Sequence, residues 1–122
     1  MRTDYRELLY LIHLITSDVK ENVLGVSSET LKTAGAVSEE TVTQMVTGVI
    51  NKLNVDYAVA VSGIMGPDGG TDEKPVGLVW IAVGNKEKIQ ATKLQFRFDR
   101  QRNIEMTTQN ALNLLRKFIL DN

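Results

Sequence analysis

The chain has 122 residues, with 14 Lys and Arg against 15 Asp and Glu, for a formal net charge of −1. That length suits one domain with one core, and 43% hydrophobic with 24% charged residues is the composition of a folded chain rather than a disordered one. The near-neutral balance offers no excess of basic charge for counterion release, which argues against nucleic acid as a partner. The absence of cysteine excludes disulfides, thiol catalysis and thiolate metal sites. The single histidine, His13, makes a histidine-rich metal site or a Ser-His-Asp triad hard to build, so no metal site is expected.

In chain order, Asp4 to Thr16 reads as a helix that is apolar almost all round, with Leu8, Leu11, Ile12 and Ile15 on one face. Its apolar run is too short to span a bilayer and lacks a small-residue cleavage site, so neither a membrane anchor nor a signal peptide is expected, and the expected location is cytoplasmic. A short helical turn over Asp18 to Leu24 stops at Gly25, and Ser27 or Ser28 caps another through Lys32, ended by Gly35. The next helix has the clearest signature. Ser38 is its N-cap, Glu39 and Glu40 lie at the positive end of the dipole, and Val42, Met45, Val46, Val49, Ile50 and Leu53 make one stripe.

After Asn54 the period changes. Tyr57 to Ile64 is apolar on both faces, the pattern of an interior strand, and Val76 to Val83 is a second such strand carrying Trp80. A turn at Gly84-Asn85 leads to an alternating strand, Ile89 to Phe98, with Leu94, Phe96 and Phe98 facing one way. Asn103 to Ile119 then returns to helical spacing, with Ile104, Thr108, Ala111, Leu112, Leu115 and Ile119 inward. The links between the three strands are too short for crossover helices, so both pairs should be antiparallel. The expected fold is α/β: a layered α/β/α domain on a small, mainly antiparallel three-stranded sheet.

Chemistry concentrates at Ser62-Gly63-Ile64-Met65-Gly66-Pro67-Asp68-Gly69-Gly70-Thr71, where a buried strand runs into a glycine-rich loop. Glycines let backbone N–H groups approach a ligand and form anion-binding nests, and ligands of α/β sheets gather beyond the carboxyl ends of strands. No Walker or dinucleotide fingerprint is present, and on the residues alone the plainer reading is a structural turn. Lys20, Lys74, Arg97, Arg100 and Arg102 are cations that could meet an anion, each also readable as solvated surface charge. Asp68, Asp72 and Glu73 match no calcium loop and read as turn-formers, while His13 reads as a core or boundary residue.

The run from Val61 to Ala82 resembles the CinA carboxyl-terminal family, whose enzymes act as nicotinamide mononucleotide deamidases. That family carries Thr/Ser-Gly-Ile-Ala-Gly-Pro-x-Gly-Gly-Thr, then Lys-Pro-Val-Gly and a Val-Trp-Ile-Ala-like strand, and this chain has Lys74-Pro-Val-Gly77 and Val79-Trp-Ile-Ala82. Gly35 to Glu40, Lys20 to Val26 and Asp99-Arg100 are further signatures, so the likeness extends from about Leu11 to the carboxyl end of a single domain, residues 1–122, with residues 1–10 divergent. The resemblance implies an amidohydrolase acting on a nicotinamide nucleotide, with no cofactor. It assigns Lys20 and Ser62 to catalysis, and Gly63, Gly66, Gly69, Gly70 and Arg100 to substrate binding. The family's first strand ends in Ser-Cys-Thr-Gly-Gly, whose serine is regarded as the attacking hydroxyl; that motif is absent here, and Tyr5 to Tyr10 occupies its region. The alternative implied is a non-catalytic domain that binds a small-molecule nucleotide or self-associates. Loss of family strands beside Tyr57 to Ile64 would expose a sheet edge, which leads to the expectation of a homo-oligomer with the Asp4 to Thr16 helix at its interface.

Overall fold

The structure, a computed structural model, describes residues 26–122 together with the backbone of Leu11–His13. Valine, isoleucine and alanine dominate the middle of the chain and form a sheet whose neighbours run β1 (Leu11–His13), β2 (Ala58–Gly63), β3 (Leu78–Gly84) and β4 (Ile89–Gln95). The last three are antiparallel as expected, with Ala60 opposite Ala82 and Ala82 opposite Ala91. The fourth is a correction. Leu11, Ile12 and His13 are extended rather than helical and pair in parallel with Val59, Ala60 and Val61. An apolar run does not by itself distinguish a buried helix from an interior strand. The pairing also satisfies, within the chain, the edge of β2 at those residues. The remainder of the expected Asp4 to Thr16 helix and the Asp18 to Leu24 turn lie outside the described residues.

The period-2 side chains of the sheet supply two cores. On one face Ala58, Ala60 and Ala82, with Trp80 beside them, meet α2 (Glu39–Leu53) through Val42, Met45, Val46, Val49 and Ile50. Alanines on the sheet let the larger helix side chains approach closely, and each fully buried Val, Ile or Met contributes about 1.5–3 kcal/mol relative to exposure. On the other face Val59, Val61, Val79, Ile81 and Val83 meet α3 (Arg100–Asp121) through Ala111, Leu115 and Phe118, and Tyr57 closes edge-on against Phe118 at 6.1 Å. The α/β/α layering follows directly from strands that are apolar on both sides.

Both long helices begin at serine or aspartate caps: Ser38 Oγ accepts the Thr41 N–H at 3.2 Å, and Asp99 Oδ1 accepts that of Arg102 at 2.8 Å. The short α1 (Ser28–Thr33) is capped by Ser27 and tied to α2 by Gln44, which bonds both Ser27 N–H and Thr30 Oγ1. Three details depart from the periodicity. Leu53, at the end of α2, is exposed, as is Phe98 beyond β4, where the Arg102 guanidinium covers its ring at 5.5 Å. In α3 the inward stripe is Asn103, Thr107, Ala111, Leu115 and Phe118, leaving Thr108 and Leu112 exposed. Rotating the stripe brings two polar residues onto the sheet side, and both have work to do at the glycine loop.

Candidate functional site

The loop from Ile64 to Gly77 is closed at its base by ladder-like bonds: Ile64 N–H to the Leu78 carbonyl at 2.9 Å and Gly77 N–H to the Ile64 carbonyl at 2.6 Å. Gly77, at φ +91°, passes so near β4 that a Cβ there would run into the Phe96 carbonyl oxygen. Beyond this base α3 grips the near side of the loop. Asn103 Nδ2 donates to the Met65 carbonyl at 2.9 Å, Thr107 Oγ approaches Met65 Sδ at 3.8 Å, and Arg100 Nη1 donates to the Gly66 carbonyl at 2.8 Å. Gly66 itself has φ +98° and precedes Pro67 through a cis peptide bond.

The far side is held differently. Thr71 N–H donates to the Lys74 carbonyl at 2.9 Å while Lys74 N–H donates to Thr71 Oγ1 at 3.0 Å, a small reciprocal turn. From it the Lys74 ammonium reaches the Ala34 carbonyl at 2.6 Å, bridging the loop to the turn between α1 and α2. Between the two anchors, Asp68, Gly69 and Gly70 are exposed, and no described residue accepts a hydrogen bond from their N–H groups. Backbone N–H groups without partners among the described residues, on a loop that a guanidinium also reaches, are the kind of donors an anion takes.

The expected site residues divide accordingly. Arg100 reaches the loop through its bond to the Gly66 carbonyl. Gly66 and Gly69, at φ +98° and +99°, hold left-handed conformations that side chains resist. Gly63 and Gly70 are glycines for lack of room, with a Cβ at 2.8 Å from Val79 Cγ2 and 2.6 Å from Val76 N respectively. Ser62 is 1% exposed, and its Oγ donates to the Ala36 carbonyl at 2.7 Å, fastening β2 to the α1–α2 turn. Lys20 lies outside the described residues. Of the other cations, Lys74 is a tether rather than free surface charge, Arg102 stacks on Phe98, and Arg97 is exposed. Asp68, Asp72 and Glu73 are exposed, and among the described residues no three His, Asp or Glu side chains gather as a metal site.

Asn103 was not singled out by its residue type. Its signal was available: an asparagine standing on the same helical stripe as Ala111, Leu115 and Phe118 must bring hydrogen-bond partners with it into the core.

Fold and loop together define a class: an α/β/α domain with a glycine loop beyond the carboxyl end of an interior strand, the place where ligands of α/β sheets gather, held by an arginine of the following helix. The family model of the CinA C-terminal domain matches residues 14–119, and this chain belongs to that family. Among its relatives, a CinA-like protein of Thermosipho melanesiensis is 47% identical over 106 residues, which are 85% of this chain and 26% of the relative. The crystal structure of the competence/damage inducible protein CihA of Agrobacterium tumefaciens is similar at a TM-score of 0.81, with 39% identity over 84% of this chain and 63% of that one. A CinA superfamily protein of Klebsiella pneumoniae has a TM-score of 0.84, with 33% identity over 88% of this chain and 68% of its own. The chain therefore spans about a quarter of the length of the curated relatives it matches. Among the described residues no helix is long and apolar enough to cross a membrane.

Proposed function

We propose that this domain binds a nicotinamide mononucleotide-type ligand, with the ribose phosphate on the glycine loop beside Arg100, and that it hydrolyses the carboxamide to the carboxylate with release of ammonia. The observation that carries the reading is the pairing of Arg100 with Gly66: one guanidinium N–H donates to the loop carbonyl, which brings the guanidinium to the loop and leaves its other donors for a phosphate. The N–H groups of Asp68, Gly69 and Gly70, exposed residues of the loop, complete the set of donors.

In the hydrolytic step a water oxygen attacks the amide carbon, the carbon–nitrogen bond breaks, and the nitrogen leaves as ammonia after taking up a proton. Water is the attacking group in this proposal because the Ser62 hydroxyl is buried and committed to Ala36. Lys20 is the base that the resemblance supplies. The same burial of Ser62, with the Ser-Cys-Thr-Gly-Gly motif missing, favours a second reading in which the nucleotide is bound and not turned over.

Calorimetric titration with nicotinamide mononucleotide, run beside an ammonia-release assay, separates the two. Binding with release that Lys20→Ala abolishes supports hydrolysis; binding without release supports the second reading; the absence of both rejects the site.

A further inference from the structure

Asn103 is 0% exposed, so its amide had to find partners inside the protein. It holds three. Nδ2 donates to the carbonyls of Met65 at 2.9 Å and Phe98 at 3.1 Å, and Oδ1 accepts the Phe98 N–H at 3.2 Å. One helical turn earlier, Arg100 holds the carbonyl of Gly66. Two successive loop carbonyls therefore face α3, whereas in extended backbone successive carbonyls point to opposite sides. The left-handed φ of Gly66 makes the same-side arrangement reachable.

The Met65–Gly66 peptide is trans, and a trans peptide directs its N–H opposite to its carbonyl. With the Met65 carbonyl held on Asn103, the Gly66 N–H points away from α3. Gly66 is buried, and no described residue accepts a hydrogen bond from that N–H. Buried backbone N–H groups almost always have a partner. The same asparagine grips both backbone groups of Phe98, two residues before Arg100, and so also steadies the segment that carries the guanidinium.

We propose that Asn103 is a positioning residue of the anion site: it aims the Gly66 N–H, on the side of the loop away from α3, at an anionic oxygen of the bound ligand, and it separately steadies the segment that carries Arg100. The inference rests on the nucleotide-binding reading above and adds to it one backbone donor and the side chain that orients it.

The test is a titration of isotope-labelled protein with nicotinamide mononucleotide, followed by amide proton–nitrogen NMR, in the wild type and in Asn103→Asp. The aspartate keeps the acceptor for the Phe98 N–H and removes the donor to the Met65 and Phe98 carbonyls. In the wild type the Gly66 amide moves with those of Gly69 and Gly70. In folded Asn103→Asp the Gly66 response is lost, the Gly69 and Gly70 responses persist, and affinity falls at least about tenfold. A purely structural asparagine would lower the melting temperature and leave the Gly66 response to the ligand intact in the folded protein, whatever the added carboxylate does to the affinity. Wild-type titration that moves Gly69 and Gly70 but not Gly66 overturns the inference and leaves the binding reading standing, as does an aspartate variant that binds like the wild type. Where Asn103→Asp fails to fold, the wild-type titration decides alone. If no loop amide responds, the binding reading fails and this inference with it.

Discussion

Gly35 and Lys74 occupy one space. Gly35 ends α1 at φ +87°, and a Cβ there would lie 2.7 Å from the Lys74 ammonium, which is bonded to the neighbouring Ala34 carbonyl. The tether crosses from the glycine loop to the α1–α2 turn, where Ser62 also fastens through Ala36. Lys74→Met removes the bond while keeping the stem. It should cost about 1 kcal/mol in urea denaturation and speed limited proteolysis between Pro67 and Pro75. Equal cleavage rates in variant and wild type would show that the tether does not order the loop.

Gly77 faces a harder constraint, since both its left-handed φ and the Phe96 carbonyl forbid a side chain. Gly77→Ala must either break the Gly77 N–H bond to Ile64 or push β4 away. A loss of at least about 3 kcal/mol is expected, from strain and broken pairing together. Gly69→Ala is the control, because a Cβ there meets only Ile64 Cγ2 at 3.6 Å. Its cost is the backbone term alone, about 1 kcal/mol. Thermal denaturation of the two variants side by side checks the order.

Arg100 is exposed and bonds a carbonyl rather than a carboxylate, so folding depends on it little. Arg100→Met should shift stability by no more than about 1 kcal/mol and weaken nicotinamide mononucleotide binding by at least about tenfold. Arg100→Lys should recover only part of the loss, because an ammonium lacks the planar fork. Calorimetry on the three proteins reads the order directly, and equal affinities would remove Arg100 from the site.

Ser38 tests the other end of the architecture. Its Oγ caps α2 on the Thr41 N–H, while Thr41 Oγ1 donates to the Gly35 carbonyl at 2.6 Å. Ser38→Ala should cost about 1 kcal/mol, the usual loss for a helix N-cap. Ser38→Asp should retain capping but bring a charge to a position only 6% exposed, and so remain below the wild type. Urea midpoints of both variants measure this.

The helix from Ser38 and the two double-faced strands were readable because local signals and burial agree there: a cap, a 3.6-residue stripe and apolar residues on both faces of a period-2 run. Leu11 to His13 were not, since two apolar residues and a histidine carry no period, and their extended form goes with pairing along β2, which lies far away in the sequence. The α3 stripe departs from its hydropathy pattern for a related reason. Asn103 and Thr107 are polar, so hydropathy rotates the predicted face toward Leu112, while the structure buries them against Met65 where they have partners.

From composition and order of residues alone came the α/β/α layering, the antiparallel strand pairs and a glycine-rich loop following an interior strand. These depend on interactions between residues near in sequence or on the burial of whole faces, which patterns of residue type encode. Tertiary structure alone decided that Ser62 is buried against Ala36, that Lys74 bonds the Ala34 carbonyl, and that Asn103 bonds the Met65 carbonyl. Each of those is a hydrogen bond between groups far apart along the chain, and its existence depends on where the folded backbone brings a particular carbonyl.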